Sequence, residues 1–131
     1  MNRSIVQITE NPEAATSIEI VPAGEEVWMT KPEIARLLMV YQNTISNNLR
    51  VIFKAGILDE KDVVKEYRYK EQGIERITIY YSFEVIIALC YRICSMYSKI
   101  IRRHIQVNLY NNRVNNEKFD LNCNILTFSL N

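Results

Sequence analysis

The chain has 131 residues, 48% hydrophobic and 24% charged, with a net charge of +1. Such values describe one soluble globular domain with enough apolar residues for a core, and they exclude a protein whose binding is set by overall charge. No stretch approaches the ~20 apolar residues of a membrane span, and no apolar run follows Met1-Asn2-Arg3, so the expectation is a cytoplasmic protein with no membrane partner. Three cysteines, Cys90, Cys94 and Cys123, are an odd number in a chain without a secretory signal, which fits reduced thiols. Cys90 and Cys94 offer two soft ligands without a second pair, and the lone His104 adds little, so neither metal nor cofactor is expected.

Charge is unevenly spread. Residues 1–30 carry one Arg and five Glu, residues 31–58 four cations and one Glu. Residues 59–81 have five cations against six acids, and residues 82–131 six against three. Positive excess sits on the second quarter and the C-terminal third.

Residues 1–16 read as a flexible leader. Ser17-Ile-Glu-Ile-Val21 alternates as a half-buried strand, Pro22-Ala-Gly24 punctuates it, and Val27-Trp28-Met29 is a second short strand. Trp28 fits a core position with its N–H near the rim, and a stacking platform for bases is the alternative. Thr30 is a suitable helix cap, Pro32 falls in the first turn, and Glu33 complements the positive end of the dipole. Ile34, Leu37 and Leu38 then make one buried stripe, and Met39-Val40-Tyr41 a turn.

Gln42 to Ala55 follows as a second helix. At about 100° per residue, Ile45, Leu49 and Ile52 share one face, while Asn43, Asn47, Arg50 and Lys54 share the opposite one. Amides pair with adenine edges, and Arg or Lys reach guanine or phosphate. A short helix holding a second helix with that outer stripe describes a helix-turn-helix reader of double-stranded DNA. An ordinary solvated helix face also fits.

Gly56 is placed to close the helix. Val63 to Tyr69 and Ile74 to Tyr81 then read as strands joined by Lys70-Glu71-Gln72-Gly73. Such a hairpin forms a wing whose Arg68, Lys70 and Arg76 can reach a DNA backbone. The interleaved Glu66, Glu71 and Glu75 favour a structural hairpin equally. Ser82 caps a helix carrying Phe83, Ile86, Cys90, Ile93 and Tyr97; Ser98 caps another with Ile101, Ile105 and Leu109 on one side and Lys99, Arg102 and Arg103 on the other. The apolar surplus of this pair is either a homodimer surface or the far wall of the core. Residues 111–131 hold seven Asn and read as a tail with one optional strand over 125–128.

The segments Val27-Trp28-Met29-Thr30, Ile34-Ala35, Thr44-Ile45-Ser46 and Ile52-Phe53-Lys54-Ala55-Gly56-Ile57-Leu58-Asp59-Glu60 follow the pattern VWLT…IA…TIS…IFKEGELDE. Tyr80 to Arg92 is similar to the YYNLDAIISVGYRV that follows it. Over residues 17–110 the chain resembles the RhuM family of bacterial virulence-associated proteins, also found as a leading module before Fic/Doc domains. The resemblance implies a winged helix-turn-helix and DNA binding. Met39 stands where the family often has Gly, implying a differently shaped turn. Gln42, Asn47 and Asn48 stand where Arg or His is frequent, implying fewer phosphate contacts and a weaker salt dependence. Family members are commonly longer, so a short member, a truncated one or a stand-alone module is expected, and His104 is not followed by a Fic-type loop.

The expected fold is therefore α+β, a winged helix-turn-helix over residues 17–110 with a C-terminal helix pair. The expected function is DNA binding, as a transcriptional regulator or mobile-element-associated factor, through Gln42, Asn43, Thr44, Asn47, Arg50, Lys54, Arg68, Lys70 and Arg76. The alternative is a protein-interaction module that makes no DNA contact. No carboxylate pair, nucleophile–base set or phosphate loop suggests an enzyme or a small-molecule substrate.

Overall fold

The computed structural model describes residues 2–11 and 14–117. Among these residues the protein is mixed α+β, with five helices and two small antiparallel sheets. The order is β1 (Ile5–Asn11), β2 (Ala14–Val21), β3 (Trp28–Met29), α1 (Lys31–Leu38), α2 (Gln42–Lys54), α3 (Glu60–Val63), β4 (Val64–Glu71), β5 (Ile74–Ser82), α4 (Phe83–Arg92) and α5 (Met96–Glu117). Strands β1 and β2 pair as a ribbon, with Ile5 opposite Val21 and Thr9 opposite Ser17. The second sheet runs β3-β5-β4, so the short strand before α1 pairs with the distal strand of the hairpin that follows α2 and α3.

Helical periodicity builds the core. Ile34, Leu37 and Leu38 of α1, Ile45, Leu49 and Ile52 of α2, Val85, Ile86 and Leu89 of α4 and Ile101 of α5 form one buried cluster. Helix α1 starts as its sequence requires. Thr30 Oγ1 accepts from the Glu33 N–H at 3.4 Å, and Glu33 Oε1 accepts from the Thr30 N–H at 2.8 Å, a reciprocal cap worth about 1 kcal/mol.

The turn between α1 and α2 keeps the shape that glycine would give it. Met39 takes the left-handed conformation at φ 56°, its N–H bonds to the Arg36 carbonyl, and the Val40 N–H bonds to that of Ala35. These two bonds close α1, against a left-handed penalty of about 1–2 kcal/mol for a residue with a Cβ. The Met39 side chain is 68% exposed, so no packing compensates. After α2, Gly56 adopts φ 73° and the Ile57 N–H reaches the Ile52 carbonyl at 3.0 Å.

Three expectations change. Residues 2–11 are not a loose leader. Ser4 is fully buried, its N–H donates to the Glu26 carbonyl at 2.8 Å, and its hydroxyl meets the Pro22 and Glu25 carbonyls. Arg3 forks onto both Glu33 oxygens at 2.9 and 3.0 Å, donates to the Trp28 carbonyl and lies over the Tyr80 ring. The loop before β3 and the start of α1 both need these partners, which lie 18 to 30 residues upstream.

Second, the chain breaks between α4 and α5 instead of running helical through Ile93 and Tyr97. Ser95, not Ser98, is the cap: its hydroxyl accepts from the Ser98 N–H at 3.1 Å, while the buried Ser98 hydroxyl accepts from the Ser95 N–H at 2.9 Å. Arg102 turns inward to donate to the Cys90 and Ile93 carbonyls, satisfying the end of α4. Third, α5 continues to Glu117, past the boundary expected at residue 110. The optional strand over 125–128 lies outside the described residues. Among those described, no helix is long and apolar enough to cross a membrane.

Candidate functional site

Helix α2 packs against α1 and α4 with Ile45 and Ile52 at 0% exposure. That seal fixes what faces outward. Gln42, Asn43, Asn47, Arg50 and Lys54 are exposed, and Thr44 is half-buried at the flank. Arg50 donates to Asn47 Oδ1 at 3.3 Å, which engages the amide oxygen and leaves the Asn47 NH2 as a donor. No acidic residue occurs anywhere in α2. Among the described residues the ion pairs are Arg3–Glu33, Lys61–Asp59, Arg68 with Glu66 and Glu75, and Arg76–Glu71. None involves Arg50 or Lys54, so both cations face solvent without a carboxylate.

The β4–β5 hairpin treats its cations differently. Its turn is Gln72-Gly73, with φ 54° and 78°, as two-residue hairpin loops require. Arg68 meets Glu66 at 3.5 Å and Glu75 at 3.4 Å, and Arg76 meets Glu71 at 3.5 Å. Lys70 lies directly opposite Glu75. Alternation places Arg68 and Lys70 on one face and Arg76 on the other, beside Tyr69. Arg68, Lys70 and Arg76 therefore do not converge on one surface. Tyr67 and Tyr69 stack with ring centroids 5.8 Å apart.

Trp28 is a core residue, 7% exposed, with its indole N–H donating to Glu26 Oε2 at 3.1 Å and the Lys65 ammonium 4.1 Å above its ring. It offers no face to a base. Cys90 is buried and Cys94 is exposed beyond the end of α4. Burial pushes the Cys90 thiol up to about 12, with the nearby Arg102 charge pulling weakly the other way. A thiol held protonated is a poor metal ligand. Among the described residues no three His, Cys, Asp or Glu side chains cluster as a metal site would need.

Glu33 titrates below its ordinary value. Burial by itself would raise it, but the hydrogen bonds from Arg3 and the Thr30 N–H, with the Arg3 charge, outweigh that and hold the carboxylate ionised. The site that supports α1, and through it α2, is thus electrostatic as well as apolar.

One residue beside α2, and its pairing with Asn48, escapes sequence reasoning. Arg92, the last residue of α4, donates from Nε to Asn48 Oδ1 at 3.1 Å, and Asn48 Nδ2 donates to the Thr44 carbonyl at 2.8 Å. Arg92 and Asn48 are 44 positions apart, and no local pattern pairs them. No protein-family model, curated protein sequence or solved structure matches this chain.

Proposed function

We propose that this protein is a non-catalytic DNA-binding protein of the winged helix-turn-helix type, with α2 as the helix that enters the major groove. One observation carries the reading. The exposed face of α2 holds Gln42, Asn43 and Asn47 toward its N-terminus and carboxylate-free Arg50 and Lys54 toward its C-terminus, while the opposite face is sealed in the core. A rigid amide-and-cation ridge of this kind suits base edges and phosphates together. The connectivity supports the same reading: a short strand, two helices joined by a three-residue turn, then a hairpin whose distal strand pairs back to the first strand. The resemblance to the RhuM family leads in the same direction.

Asn43 and Asn47 are assigned to base edges, and Arg50 and Lys54 to phosphate or guanine. Exposed Leu109 on α5, which continues the side of Ile101 and Ile105, is proposed as part of a homodimer contact, the arrangement that paired half-sites need. The test is binding of duplex DNA across a salt series. Arg50→Ala with Lys54→Ala is expected to lower affinity and to flatten the salt slope by about one or two units. A variant that binds like its parent at every salt concentration removes α2 as the reader.

A protein-interaction module is the second reading, and the hairpin favours it. Arg68 and Arg76 are paired with glutamates of the hairpin itself, and Tyr67, Ile77 and Ile79 are exposed on it. Retention on heparin and a mobility shift of random duplex at low salt separate the two readings: both are expected of a DNA reader, neither of such a module.

A further inference from the structure

We propose that Arg92 is a phosphate-binding residue of the same interface, held in place by Asn48; the proposal rests on the DNA-binding reading of α2. Asn48 is locked at both ends of its amide. Its NH2 is committed to the Thr44 carbonyl one turn back, so its oxygen must point away from that carbonyl, where it accepts from Arg92 Nε. A guanidinium has five N–H donors, and this bond uses only one of them. The four N–H of the terminal nitrogens have no partner among the described residues, and Arg92 is exposed. No carboxylate pairs with it there either.

Position decides what this fork can take. Thr44 and Asn48 lie one turn apart on the flank of α2, between the buried stripe of Ile45, Leu49 and Ile52 and the outer stripe of Asn43, Asn47, Arg50 and Lys54. Arg92 therefore adds a cation beside the outer stripe, not upon it. When a helix lies in the major groove, its outermost residues meet base edges and its flanks meet the phosphate ridges. A planar fork with both terminal nitrogens free matches two phosphate oxygens, and fixing Nε beforehand reduces the rotamer freedom lost on binding. Asn48 is by the same geometry a positioning residue that reads no base.

A purely structural role is the competing account, because a cation at the C-terminus of α4 complements the helix dipole. The salt dependence of DNA binding separates the two. The experiment measures fluorescence anisotropy of a labelled random-sequence duplex with the full chain between 50 and 200 mM salt. The variants are Arg92→Gln, Asn48→Ala and Arg50→Ala with Lys54→Ala, each checked for native far-UV circular dichroism. Arg92→Gln retains an amide donor toward Asn48 but loses the charge. It is expected to lower the salt slope by about one unit, shrinking the loss of affinity across that range by roughly three- to four-fold. Asn48→Ala is expected to weaken binding while keeping the slope, since the charge remains. An unchanged slope in Arg92→Gln beside a flattened one in the Arg50/Lys54 variant overturns the role of Arg92 and leaves α2 as the reader. Absence of any binding by the parent protein overturns both.

Discussion

Helix α2 and the β4–β5 hairpin both carry exposed cations and present them oppositely. On α2, Arg50 and Lys54 stand in a stretch without a single acid, one edge of which is extended by Arg92. On the hairpin, the register sets Lys70 against Glu75 and brings Arg68 and Arg76 within 3.5 Å of glutamates. Such exposed pairs contribute little to stability, about 0–1 kcal/mol each, but they cancel the field that a polyanion would sense. A count of cations along the chain cannot tell a binding face from a neutralised one, because the pairing across strands decides it.

The comparison can be broken most severely from beneath α2. Ile52→Ala empties a fully buried position and is expected to cost about 2–5 kcal/mol in chemical denaturation, whereas Ile77→Ser on the exposed hairpin is expected to stay within about 0.5 kcal/mol of the parent. Comparable losses at the two positions would show that the α2 face is not set by its buried side. The hairpin can instead be converted. Replacing Glu66, Glu71 and Glu75 together by Gln frees Arg68, Lys70 and Arg76, and is expected to raise DNA affinity and steepen the salt slope by about one unit or more. An unaltered slope would mean the hairpin lies away from the duplex altogether.

Smaller effects test the supports. Glu33 has a folded pKa below its unfolded value, so the unfolded chain binds the extra proton on acidification. Its contribution is fully present above the ordinary carboxyl range and is lost as pH falls through the folded value. The stability gap between parent and Glu33→Gln should accordingly narrow on the acid side of that range, as read from urea midpoints at successive pH values. A gap that stays constant would remove the Arg3–Glu33 fork as its source. The smallest effects belong to Met39, in the turn before α2, and Gln72, in the hairpin turn, the two non-glycine residues in the left-handed region among those described. Met39→Gly and Gln72→Asn are each expected to add a few tenths to about 1 kcal/mol, since each residue stands where glycine or asparagine is preferred. Lower thermal midpoints in these variants would assign the Met39 and Gln72 side chains a packing role.

Much of the outer face of α2 was legible because its causes are local. Thr30 with Glu33, the spacing of Ile45, Leu49 and Ile52, and Gly56 after the last turn lie within a few residues of what they control. The N-terminal strand was missed for the opposite reason. Val6 and Ile8 alternate over a β-branched run, but the partners that order it, Glu26, Trp28 and Glu33, lie more than twenty positions away. The break after Arg92 was hidden because Ile93 and Tyr97 continue the apolar rhythm of α4, and only the Ser95–Ser98 exchange and the inward turn of Arg102 end it.

By itself the sequence determined α1, α2, the hairpin and the side of α2 that faces inward, because propensity, capping and periodicity act over one or two turns. The tertiary structure alone decided which cations stay unpaired, where the N-terminal strand docks and that Arg92 meets Asn48. Those outcomes depend on distances between residues far apart in the chain, and such distances exist only once the core has closed.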